Sequence, residues 1–174
     1  MNEKYPQIPN DVAHIDWDSW EPEERAVLCL VRSDKDVLLI HKKTGLGSGK
    51  INAPGGRIEP GELPIEAAIR ETEEETGITP SQLVQTAELS FIFTNGYSIH
   101  GTVFLAHHHT GTLTNTREAL PYWCPVDNLP YTRMWEDDPL WLPSVFEGYY
   151  VKGRFIFDDD TMLSKHIEKY SRSG

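Results

Sequence analysis

Apolar and polar positions change their rhythm along this chain, and the changes predict its elements. Residues 26–31 (AVLCLV) and 37–41 (VLLIH) are apolar runs of strand length, separated by a polar turn at 34–36. Residues 44–50 and 55–61 are Gly-rich and read as loops. From 64 to 76 the apolar spacing follows a helical period. Pro64 suits the first turn, where its missing N–H costs nothing, and Gly77 suits the position after the C-cap, where positive φ is wanted. Strands are expected over 88–93 and 101–107, a short strand and loop over 121–130, and a helix over 140–147. Residues 154–157 and 161–169 fit strand or helix. The first 24 residues are polar, with Trp17 and Trp20 as anchors. They read as an extension packed loosely on a domain spanning 25–174. Strands and helices mix without regular βαβ alternation, which implies an α+β fold with helices outside the sheet.

On a 100° wheel, Ile65, Ala68, Ile69 and Thr72 share one face of the predicted helix, which should pack on the sheet. Glu71, Glu74 and Glu75 group within one turn on the adjoining flank. Like charges at this spacing destabilise a bare helix, and Arg70 offsets only part of that through Glu74 at i+4. Two readings follow: a solubilising acidic face, or a site for hard divalent cations, which take oxygen ligands.

Composition narrows the setting. A length of 174 residues suits one domain, and 39% hydrophobic with 25% charged residues is ordinary for a globular protein. No apolar run is long enough to span a bilayer, and the N-terminus has no signal-peptide core. The expectation is a cytoplasmic protein with no membrane partner. Sixteen Lys and Arg against 27 Asp and Glu give a net charge of −11, which disfavours nucleic acid as a partner. Cys29 and Cys124 lack metal-ligand spacing and read as reduced structural residues.

The run from Gly56 through Glu62, Arg70-Glu71-Thr72, Glu74-Glu75 and Gly77-Ile78 resembles the Nudix box, GX5EX7REUXEEXGU, where U is a bulky aliphatic. Every fixed position matches, and Thr72 alone departs at a U position. The resemblance implies a Nudix α/β/α sandwich with a mixed β-sheet. It implies Mg²⁺, for which Mn²⁺ can substitute, bound by Glu71, Glu74 and Glu75 with the Gly55 carbonyl. It makes Arg70 the orienter of the glutamates and Glu62 a support for the loop. Glu71, Glu74, Arg70 and Glu118 are its catalytic candidates; Glu118 reads equally as an exposed loop carboxylate.

Beyond the box, residues 25–170 resemble the MutT-like 8-oxo-dGTP diphosphatases, the animal MutT homologues above all. By position, Asn52, Trp135, Asp137 and Asp138 would contact a purine. Leu46, Phe91, Phe93 and Ile99 would line its pocket, and Lys42 would assist. The chemistry agrees: carboxylates accept from guanine N1–H and N2–H₂, and an indole stacks on a base. Adjacent Asp137 and Asp138 would titrate together, and an apolar pocket would keep one protonated. Asp138 before Pro139 also suits a helix N-cap, and Trp135 and Trp141 suit a core. Leu46, Ile51 and Pro54 replace aromatic residues of that pattern, which implies a looser pocket.

The activity implied is hydrolysis of oxidised purine nucleoside triphosphates to monophosphate and pyrophosphate, with a small-molecule nucleotide as partner. Monomer and dimer are equally compatible. The alternatives are a Nudix hydrolase of unmodified nucleotides, dinucleoside polyphosphates or capped RNA ends, and a silent nucleotide-binding Nudix domain. Three features are decoys. Residues 45–50 lack P-loop spacing. His107–His109 alternate across a strand and cannot converge on one metal. Residues 158–160 read as a turn.

Overall fold

The computed structural model describes residues 7–172. Its strands are β1 (Glu24–Ser33), β2 (Asp36–Lys42), β3 (Ile51–Asn52), β4 (Gly55–Arg57), β5 (Ile78–Ser81), β6 (Val84–Phe93), β7 (Ser98–Ala106), β8 (His108–Gly111), β9 (Ala119–Pro125), β10 (Tyr149–Asp158) and β11 (Thr161–Ser171). Two helices, α1 (Pro64–Thr76) and α2 (Asp138–Phe146), complete the frame. The main sheet runs β11-β10-β6-β7-β1-β2-β3, with β4 added to β1 and β9 to β2. It is mixed: β1 runs parallel to β7 and β10 parallel to β6, while the other pairs are antiparallel.

Side chains of β1 alternate between two cores, as the pleat requires. Val27, Cys29 and Val31 point to α1, where they meet Ala67, Ala68, Ile78 and Phe104. Leu28 and Leu30 point the other way, toward Trp141, Leu142 and Val145 of α2. The sheet is therefore covered by a helix on each face, the expected α/β/α sandwich. Cys29 and Cys124 are buried and unpaired. Ahead of β1, Val12, Ile15, Trp17 and Trp20 pack on Ile92 and Ile156, and the Val12 N–H donates to Ser164 Oγ at 3.0 Å. Residues 1–6 of the extension lie outside the described residues. Among the described residues no helix is long and apolar enough to cross a membrane.

Several expectations shift. The segment 55–61 is not all loop, since Gly55–Arg57 pairs with β1. The short strands β3, β5 and β8 have no sequence signal of their own, and β8 takes in two of the three histidines. The segments at 154–157 and 161–169 are strands, β10 and β11, because each finds a ladder partner. The packed face of α1 is turned from the expected one. Ala67, Ala68, Thr72, Glu75 and Thr76 are buried, whereas Ile65 is exposed. Small residues set this face because α1 lies close on the sheet. Thr72 fits there because its hydroxyl donates to the Ala68 carbonyl at 2.7 Å, so its one polar group is satisfied within the helix.

Two glycines bring β4 against its neighbours. A Cβ on Gly55 would lie 2.1 Å from the Val27 carbonyl oxygen, a backbone atom that cannot move aside. Gly55→Ala is therefore expected to cost about 1–3 kcal/mol or more, read as a lowered urea midpoint. Gly101→Ala, whose Cβ would meet only the Leu89 carbonyl oxygen at 3.8 Å, should leave that midpoint near wild type. Equal loss in both variants would contradict this account of β4.

Candidate active site

One cleft of about 350 Å³ opens on the α2 side of the sheet, between β1, β4, α1, the 44–50 loop and the segment before α2. Its floor is apolar: Leu28, Leu89, Phe91 and Phe93 all contribute. Polar groups sit at its two ends.

One end belongs to α1 and β4. Leu63 starts the helix with its N–H donating to Glu66 Oε1 at 3.0 Å, and Gly77 ends it at φ +80°. The register turns Glu71 and Glu75 into the cleft. Glu74 faces out, its side chain 58% exposed. Arg70 organises the group. Its Nε and Nη2 grip the two oxygens of Glu62 at 2.7 and 2.9 Å. Its Nη1 reaches Glu71 at 2.8 Å and Glu74 at 3.3 Å. Nη2 also donates to the Arg57 carbonyl at 3.1 Å, which fastens β4 to the helix. The bidentate pairing holds Glu62 down to about 2, chiefly through the hydrogen bonds from Arg70.

Glu75 is buried, and its Oε1 accepts from the Gly55 N–H at 3.3 Å. Burial first, and Glu71 next, push its carboxyl up to about 8. Lys42 and Glu118 line the same end. Burial lowers the Lys42 ammonium from its ordinary value, against the pull of Glu75 and Glu71. Among the described residues no three acidic, His or Cys side chains form a ready cage for a metal. The donor set still fits a hard dication. A dication would take the place of the proton that the Glu71–Glu75 pair holds, and Mg²⁺ is ordinarily held by one or two carboxylates with waters and substrate phosphates completing its shell. Gly56 makes room here: a Cβ on it would lie 2.4 Å from the Glu71 carboxyl carbon.

At the other end, Asp137 and Asp138 lie beside Asn52 and Trp135. Both acids are buried, and Asp137 Oδ1 and Asp138 Oδ2 have no hydrogen-bond partner among the described residues. Trp141 Nε1 donates to Asp137 Oδ2 at 2.9 Å. Burial pushes Asp137 up to about 6 and Asp138 well above its ordinary value, the latter helped by the charge of Asp137. The capping alternative for Asp138 does not hold. The N-cap position falls on Asp137, and neither side chain caps the helix. Trp135 is half-buried, edge-on to Phe157 and Phe93, with the Lys50 ammonium 5.2 Å from its ring centre. Trp141 is core. Leu46 is exposed at the rim and Ile99 lies on the floor.

The cleft thus brings together Gly55, Glu71, Glu75, Glu118, Lys42, Leu46, Asn52, Phe91, Phe93, Ile99, Trp135, Asp137 and Asp138. It leaves Glu74 and Arg70 outside its lining. It adds Glu24 and Tyr97, which lie far apart in sequence and carry no motif. Of the decoys, the 45–50 loop lends Gly45 and Leu46 to the cleft wall, and the other two lie outside its lining. His109 packs on Trp123, and Asp159 sits in the β10–β11 turn at φ +55°.

A mixed sheet between helices, with a glutamate-bearing helix turned into a cleft, is the Nudix arrangement. The NUDIX domain profile matches residues 22–145, and the chain belongs to that family. Within it, the chain is 36% identical over 144 residues to the oxidized purine nucleoside triphosphate hydrolase of Mus musculus, covering 82% of this chain and 92% of that protein. The protein of the same description from Danio rerio is 34% identical, with 80% and 90% covered. The crystal structure of the mutator MutT protein from Bacillus halodurans matches with a TM-score of 0.74 at 28% identity, covering 83% of this chain and 97% of that one. Nudix hydrolases generally need a divalent metal.

Proposed function

We propose that this chain hydrolyses oxidised purine nucleoside triphosphates such as 8-oxo-dGTP to the monophosphate and pyrophosphate, and so cleanses the nucleotide pool. The observation that carries the reading is one cleft with two polar ends. Two buried carboxyl groups with orphaned oxygens stand at one end, and a strained glutamate pair stands at the other. The names of the mouse and zebrafish relatives support the same substrate class.

Asp137 and Asp138 suit the N–H donors of a guanine edge, and the Asn52 amide suits a carbonyl next to an N–H. Trp135 offers a face to the ring. Glu71, Glu75 and Glu74, with the Gly55 carbonyl, would hold Mg²⁺, which Mn²⁺ can replace. Bound there, the ion would neutralise phosphate charge and lower the pKa of a water. Arg70 keeps Glu71 and Glu74 in place through Nη1. Lys42 would supply a cation to the phosphates, and Glu118 would take a proton from an attacking water.

The test is pyrophosphate release from 8-oxo-dGTP, 2-oxo-dATP, dGTP and dATP, with Mg²⁺ and with EDTA. The expected result is metal-dependent release that favours the oxidised purines roughly tenfold or more, in line with about 1–3 kcal/mol for one well-made edge contact. Equal rates on all four would discard the substrate and keep the chemistry. Activity undiminished by EDTA would discard the metal site.

A further inference from the structure

We propose that Arg57 binds the phosphate chain of the substrate, and that Glu24 and Tyr97 are positioning residues that aim it. The proposal rests on the nucleotide hydrolase reading above and deepens it.

Arg57 ends β4 and lines the cleft, with its side chain 74% exposed. It is not loose. Its Nε lies 2.9 Å from Glu24 Oε2, and its carbonyl is held by Arg70. The same Glu24 oxygen accepts the Tyr97 hydroxyl. Glu24 opens β1 and Tyr97 stands just before β7, so the bracket spans two chain segments joined in register, with Glu24 opposite Ile99 and Ala26 opposite Arg57. A guanidinium that faces its carboxylate through Nε leaves its two terminal nitrogens toward the cleft. Among the described residues neither of those makes a hydrogen bond, and the nearest approach of the guanidinium to Glu24 is through Nε. The terminal nitrogens form the fork that suits phosphate oxygens.

The site calls for such a group. Its phosphate end carries Glu71, Glu75 and Glu118, and Lys42 is the other cation lining the cleft. An acidic surface of this kind repels a polyanion unless fixed cations face it. The competing explanation is a surface ion pair that merely ties β1 to β4. Such a pair would matter for stability and leave ligand binding alone.

The experiment uses the full chain with saturating Mg²⁺ and inorganic tripolyphosphate as a base-free probe, titrated by calorimetry, alongside KM and kcat for 8-oxo-dGTP. Arg57→Ala should weaken tripolyphosphate roughly 10- to 50-fold and raise KM by a similar factor, with kcat changed little, as expected of binding shared by ground and transition states. Glu24→Gln and Tyr97→Phe should each weaken it about three- to tenfold and do nothing further in the Arg57→Ala background, the mark of acting through Arg57. Arg57→Lys should recover only part, because one ammonium cannot serve Glu24 and a phosphate fork together. Unchanged tripolyphosphate binding in Arg57→Ala, no binding by the wild type, or a Glu24→Gln effect that persists without Arg57 would each overturn the proposal. A wild type that binds tripolyphosphate but ignores 8-oxo-dGTP would sink the substrate reading instead.

Discussion

Glu75→Gln is expected to lower turnover on the order of 10²–10³-fold while the fold stays intact, a loss typical of removing one preorganised charge-stabilising group. Glu75 faces Glu71 inside the cleft, is buried, and is pushed up to about 8 by burial and by that neighbour. The amide keeps the shape and can still meet the Gly55 N–H through its oxygen. It loses the negative charge that a dication would need. The metal-free protein should be about as stable as wild type, because a carboxyl held mostly protonated gives way to a neutral amide of the same shape. The thermal midpoint of the wild type should rise with added Mg²⁺, as a ligand of the native state requires, and that of the variant should respond much less. Near-normal turnover, or an undiminished Mg²⁺ response, would remove Glu75 from the metal site. The same reasoning applies to Glu71. It is weaker for Glu74, whose exposed carboxylate is engaged by Arg70, so Glu74→Gln separates a ligand from a rim residue.

Much of this site is legible in the amino-acid sequence because the box is local. Glu71 and Glu75 are four residues apart, one helical turn, so their common direction follows from the helix alone. The limits of α1 (Pro64–Thr76) are legible because Pro64 and Gly77 punctuate it chemically. What the sequence does not carry is the rotation of α1. The period points to Ile65, but the cost of holding helix and sheet close decides the face, and Ala67, Ala68 and Thr72 are smaller. Short strands escape notice for a related reason. Gly55–Arg57 has neither β-branched residues nor alternation, and it is a strand only because β1 offers hydrogen bonds to it. Glu24 and Tyr97 are invisible in the sequence because their meeting depends on the β1–β7 register, a long-range fact with no local signature.

Asp137 and Asp138 give the second large effect: substituting either by Asn should change the ratio of kcat/KM for 8-oxo-dGTP over 2-oxo-dATP by roughly 10- to 100-fold. The two acids share a dry end of the cleft and expose one orphaned oxygen each. Burial makes ionising both unfavourable, so the pair holds a proton near neutrality, and the acid that keeps it acts as donor while the other accepts. Two oxidised bases that present donors and acceptors in different order can then be read by one pair. Fixing either position as an amide removes that choice. Stability should report the same proton. Asp137 binds it more tightly folded than unfolded, with its value raised from 3.8 to about 6. Its stabilising contribution is therefore complete below about pH 4 and is lost as pH rises through 6. Burial raises Asp138 as well, so its share is lost in the same direction as pH rises. Between pH 4 and 8 the wild type should thus lose more stability than Asp137→Asn, measured by urea unfolding at each pH. If both Asn variants keep the wild-type base ratio, the pair does not read the base, however the unfolding curves behave.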